Sequence, residues 1–190
     1  MKLKFWLLTG LLLFSRGCDF YSTSLWFFQP DGMKGEMNPL TYFFGVGWNG
    51  LILANVIVIS LILHAFYQYS YHKTKPQFTT RPKDYMDYGS LLYFNQSGQL
   101  YKLMYQCPKN HSVAWQHFGY IVVRVVIILS FLAPAHNLLQ YYNVATYDLV
   151  LDAIHLVMRP LLLMALFGIA LLVYFQIRIL KKEFAKLPPQ

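Results

Sequence analysis

Asp148, Asp152, His155 and Arg159 step by four, three and four along an apolar stretch that runs from Tyr147 to Ile177. At helical spacing the four side chains share one face. Two other apolar stretches carry the same residue types, with Arg16 and Asp19 in one and Arg124 and His136 in another. Ionisable groups are costly inside a membrane, so each needs a partner or a watered cleft. Asp19, His136, Asp152 and His155 supply the oxygen and nitrogen donors that Zn²⁺ favours, and a metal-bound water is the nucleophile of many hydrolases. His136 and His155 also have the residue type for axial ligands of a haem. A simpler chemistry uses the same groups: Arg16 and Arg159 neutralise Asp19 and Asp152, and the histidines hydrogen-bond between helices. No H-E-x-x-H or H-x-x-x-H pattern is present, so ion pairing is the preferred reading and no cofactor is expected.

These residues depend on the elements that carry them. The chain is 56% hydrophobic and only 13% charged, against about 25% charged in a soluble domain. Four apolar spans are expected, at about 5–28, 41–66, 120–139 and 147–177, each near or above the roughly 20 residues a bilayer crossing needs. The fold class is therefore all-α, a polytopic membrane protein with four transmembrane helices in one bundle and a single domain over 1–190. The last span is long for one crossing and should tilt or project. Within the second, Asn49 and Asn55 are polar interruptions, and Gly45, Gly47 and Gly50 lie where glycine lets helices pack closely.

Between the second and third spans, residues 72–118 form the only sizeable extramembrane segment. There Asn95-Gln96-Ser97-Gly98 separates two apolar runs, which fits either a hairpin or a broken interfacial helix. His72, His111 and His117 fall in this loop and are expected to be solvated; His64 is expected near the inner end of its span. Cys18 and Cys107 lack the paired spacing of a zinc knuckle or redox motif, and no disulfide between them is expected.

The net charge of +8 comes from Lys and Arg that flank the apolar spans. That distribution suits a lipid bilayer partner, with other membrane proteins as further candidates, and not nucleic acid. Lys2, Lys4, the loop lysines and the tail residues Arg178, Lys181, Lys182 and Lys186 form the basic segments, whereas 29–40 and 140–147 hold only Lys34. Both termini and the loop are thus expected in the cytoplasm. Met1 to Gly17 also resembles a secretory signal, but Arg16 before Gly17 is wrong for a lipoprotein cleavage box, and the first span is expected to be retained. Counting inward at the helical rise puts Asp19 and His155 roughly 12 Å deep, so the polar groups collect in the outer half of the bilayer.

The segment between the first two spans adds Gly35-Glu36-Met37-Asn38-Pro39-Leu40. Asn38 has the chemistry of a helix cap and Pro39 that of a first helical residue. Asp19-x-x-x-Thr23 followed by Gly35-Glu36-x-Asn38-Pro39-Leu40 resembles a family of small bacterial integral membrane proteins, over residues 15–60. The resemblance implies a bacterial inner-membrane location and groups Asp19, Thr23, Glu36 and Asn38 as a set. Family members often carry a lysine in the second helix, where this chain has Asn55. The resemblance implies no activity.

The function expected is that of an integral membrane accessory or assembly protein with a polar intramembrane cluster near the outer face. The alternative is a membrane-embedded enzyme of the metal-dependent hydrolase type, or a carrier of lipid or small solutes. The functional candidates are Asp19, Thr23, Glu36, Asn38, His136, Asp152, His155 and Arg159. The topology has a direct test. With the native cysteines replaced, Ala185→Cys should resist an impermeant maleimide in intact cells and react after lysis; labelling in intact cells contradicts a cytoplasmic C-terminus.

Overall fold

The computed structural model describes residues 2–28, 44–74, 78, 80–157 and 160–187, and the side chains of all of these except 153–157, 160 and 161. The described residues form six α-helices: α1 (Lys2–Phe27), α2 (Trp48–Tyr71), α3 (Tyr85–Phe94), α4 (His111–Tyr141), α5 (Ala145–Val157) and α6 (Pro160–Phe184), with a 3-10 turn at Leu100–Met104 and no strand. Among the described residues three stretches are long and apolar enough to cross a membrane, namely Trp48–Tyr71, His111–Tyr141 and Leu162–Phe184. Among the four helices of that length, α1 differs in composition, since Lys2, Lys4, Arg16 and Asp19 interrupt its apolar residues.

Helix α4 is the centre. In its most apolar stretch 44% of residues are buried, against 22% in α2 and 17% in α6, so the other helices are arranged around it and turn most of their surface outward. Helices α1, α2 and α6 all pack against it, while α1 and α6 share little contact with each other. One core joins Phe5 and Leu12 of α1, Ile62 and Phe66 of α2, and Val123 and Ile127 of α4. A second joins Tyr120, Ile121 and Val125 of α4 to Phe175 and Ile179 of α6.

Glycine decides how closely α4 meets α2. A Cβ on Gly119 would fall on the Ala65 carbonyl carbon and the Phe66 amide nitrogen, so backbone touches backbone there. Helix α1 runs antiparallel to α2 along its length. Phe5 stacks on Phe66 at 5.3 Å at one end, and Phe27 meets Trp48 at 5.1 Å at the other. The first end gathers the basic residues, because Lys73, just beyond α2, pairs with Glu183 near the end of α6.

The extramembrane segment contains a broken helix and no hairpin. Asp84 caps α3 by accepting from the Met86 and Asp87 amides, both at 2.8 Å. Asn95 ends it in the left-handed region at φ 58°, a conformation that Asn tolerates better than most residues. Tyr88, Leu92, Tyr93 and Phe94 then pack on Val113 and Leu180, which fastens the segment to α4 and α6.

Four expectations need correction. The 120–139 span is part of a helix that already begins at His111, because Gln116 and His117 face buried partners and not water. The connection between α2 and α4 therefore covers 72–110. The 41–66 span is displaced to Trp48–Tyr71, with Gly47 as its cap. Gly45 at φ 63° lies ahead of the helix in a left-handed conformation, and Gly45 and Gly47 are not helix-packing residues. The 147–177 span is two helices, α5 ending at Val157 and α6 starting at Pro160, whose missing N–H suits a first turn.

Gly119→Ala should destabilise the detergent-solubilised protein by about 3 kcal/mol, at the upper end of overpacking costs, because helix backbones must separate. A Cβ on Gly17 meets nothing within 4 Å, so Gly17→Ala should leave the thermal melt nearly unchanged; equal melts for both variants contradict the close approach.

Candidate functional site: two polar clusters, midway along the bundle and at its basic end

Arg16 is a guanidinium roughly 21 Å along α1 from Lys2 at the helical rise. Its Nη1 lies 2.6 Å from Asp19 Oδ2 and donates to Ser130 Oγ of α4 at 3.0 Å. Its Nη2 donates to Asn55 Oδ1 of α2. Asn55 is oriented in turn by donating to the Leu51 carbonyl at 2.9 Å. One fork of donors thus links three helices. Arg16 and Asp19 keep 20% and 17% of their side-chain surface exposed, so the pair is largely withdrawn from its surroundings.

Beside this pair lies a cavity of about 10 Å³ lined by Arg16, Asp19, Phe20, Thr23, Trp48, Leu51 and Asn55. That is room for about one water. Towards the same end, Asn137 Nδ2 donates to Ser22 Oγ and Trp26 Nε1 to the Asn137 carbonyl, both at 3.2 Å. His136 Nδ1 is hydrogen-bonded to the Tyr147 hydroxyl of α5.

The expected site residues separate into distinct groups. Asp19 and Thr23 do meet at one cleft, joined there by Asn55. Glu36, Asn38, Pro39 and Arg159 lie outside the described residues, and so does the side chain of His155, though its position on α5 is described. Asp148 and Asp152 are exposed, against the expectation that they point into the bundle. Both belong to α5, an element separate from α6. Asp19 is held by Arg16 and His136 by Tyr147; among the described residues no three His, Cys, Asp or Glu side chains group to hold a metal.

The second cluster, at the basic end, was not foreseen. His117 is only 4% exposed, against the expectation of a solvated loop residue. Tyr93 Oη sits 2.6 Å from His117 Nδ1 and accepts from Gln176 Nε2 at 2.8 Å. Burial pushes the Tyr93 phenol well above its usual range, so it keeps its proton. That proton needs an acceptor, and Nδ1 provides it, which places the ring hydrogen of His117 on Nε2.

Glu183, 5% exposed, is the neighbouring carboxylate. It pairs with Lys73, lies 2.9 Å from Lys186 Nζ and accepts from the Tyr69 hydroxyl at 3.3 Å. Burial pushes the Lys73 ammonium below the usual lysine range, and Glu183 opposes that shift. Gln116 completes this end by donating to the His72 carbonyl at 3.0 Å and accepting from the Thr74 amide at 3.1 Å. The sequence signals were faint: Glu183 is a lone acid in a basic tail, and Gln116 and His117 stand just ahead of an apolar run.

No protein-family model, curated protein or solved structure matches this chain. The three apolar helices make it an integral membrane protein of all-α class.

Tyr93→Phe removes an acceptor from Gln176 and a donor from His117, leaving two buried polar groups unpaired. The variant should lose about 1–3 kcal/mol in thermal or denaturant unfolding. Tyr101→Phe, at a side chain 58% exposed, should change stability by less than about 0.5 kcal/mol; equal effects contradict the role of the Tyr93 network.

Proposed function

We propose that this chain is a membrane accessory or assembly protein that crosses a bacterial inner membrane four times. Its intramembrane polar residues bind its helices to one another and do not carry a reaction. Helix α1 is the fourth crossing. Its 26 residues reach roughly 39 Å at the helical rise, enough for a bilayer core, and it lies beside α2 from end to end. Both termini and the 72–110 connection are cytoplasmic, since the basic residues gather at that end of the bundle.

The observation that carries this reading is the engagement of Arg16 by groups on three helices. A guanidinium near a bilayer midplane costs about 3 kcal/mol on insertion scales. Here Asp19, Asn55 and Ser130 take its donors from three helices. The cavity of about 10 Å³ beside it has room for about one water.

The test compares protein level with phenotype in cells lacking the native gene. Asp19→Asn weakens the pairing of Arg16 and should lower abundance in the membrane to about half or less, with the phenotype falling in proportion to the protein. Normal abundance with an abolished phenotype contradicts the proposal and assigns Asp19 to a working site.

A further inference from the structure

The basic end carries more positive charge than its own carboxylate neutralises. Glu183 accounts for Lys73 and Lys186. Lys4, Arg124, Arg178 and Lys182 form no ion pair with any carboxylate among the described residues. These four come from three helices, α1, α4 and α6. Lys182 is close enough to Lys4, Lys73 and Lys186 to be repelled by all three, and Arg178 repels Arg124 in the same way.

The geometry is that of a cationic patch gathered around the Tyr120 ring. Helices α1 and α6 both pack on α4 while sharing little contact with each other, and α2 sends Phe66 to within 5.9 Å of Arg124 and Tyr69 to within 5.0 Å of Tyr120. On α4, Arg124 lies 3.6 Å over the Tyr120 ring and donates to the Tyr120 carbonyl. The Lys182 ammonium lies 5.5 Å over the same ring. A shared aromatic platform thus holds a guanidinium and an ammonium of like charge near each other. Such an arrangement is stabilised by an anion, and a phosphate offers the oxygens that both groups prefer.

We propose that this patch binds the phosphodiester of an anionic phospholipid at the cytoplasmic interface, through Arg124, Lys4 and Lys182. The chemistry recognised is a phosphate monoanion, and a lipid is the source because Arg124 lies one turn further into an apolar helix than Tyr120, where a diacyl headgroup reaches and a hydrated ion is poorly accommodated. This assignment does not depend on the accessory role, because binding is read on the isolated protein.

The test is native mass spectrometry of the full chain in neutral detergent, titrated with equimolar dioleoyl phosphatidylglycerol and dioleoyl phosphatidylcholine. The wild type should retain the glycerol lipid about fivefold or more over the choline lipid. Lys182→Gln and Lys4→Gln alter exposed side chains, and each should reduce that preference about fivefold with an unchanged melt. Arg124→Gln should do the same where it folds, and Lys182→Arg should keep the preference. Lys109→Gln, in the connecting segment, should leave it intact. Equal retention of the two lipids by the wild type overturns the proposal, and so does an equal loss in Lys109→Gln. Inorganic phosphate is the remaining arm: adducts that vanish in Lys182→Gln, with no preference between the lipids, would make the ligand a soluble anion and also overturn it.

Discussion

A guanidinium withdrawn from water needs partners for its donors, and Arg16 sits about midway along a largely apolar helix. The groups that satisfy it come from α1 itself, from α2 and from α4. That requirement fixes more than one contact. It sets the rotation of α1, since the face bearing Arg16 must turn inward, and Leu12 and Ser15 are fully buried on that side. It also sets the vertical register, since Asn55 of an antiparallel helix must arrive at the same depth. The apolar contacts on either side, Phe5 with Phe66 and Phe27 with Trp48, follow from that register.

The basic end solves a different problem. Here the extramembrane segment must be fastened to helices that already pack through Gly119. Tyr93 does this by inserting between α4 and α6, hydrogen-bonded to His117 and Gln176. Glu183 adds a charged tie from α6 to the exit of α2. The two clusters differ in balance. The Arg16 pair is neutral within itself, whereas the basic end holds more positive charge than Glu183 neutralises.

The sequence showed the membrane class and the apolar helices clearly, because hydropathy over twenty residues is a strong signal. Asp19 was legible as a residue in need of a partner, and its Arg16 neighbour is one helical turn away. What was not legible was the other half of each contact. Asn55 and Ser130 are polar but unremarkable in composition, and nothing local ties them to Arg16, because the contact spans separate helices. His117 reads as solvated because apolarity starts at Tyr120, yet α4 begins at His111 and carries it, with Gln116, into a buried junction. The 148–159 spacing put four side chains on one inward face, yet Asp148 and Asp152 are exposed on α5, and the last span comprises two elements with Pro160 opening the second.

The central claim is that Arg16 holds helices together. The most direct measurement is a double-mutant cycle on the unfolding free energy of the detergent-solubilised protein, using Arg16→Met, Asn55→Leu and the pair combined. A hydrogen bond between a charged donor and an amide inside a membrane protein should give a coupling of about 1 kcal/mol or somewhat more, with the double variant less destabilised than the sum of the singles. Strict additivity of the two substitutions would show that Arg16 and Asn55 do not support each other, and would contradict the account.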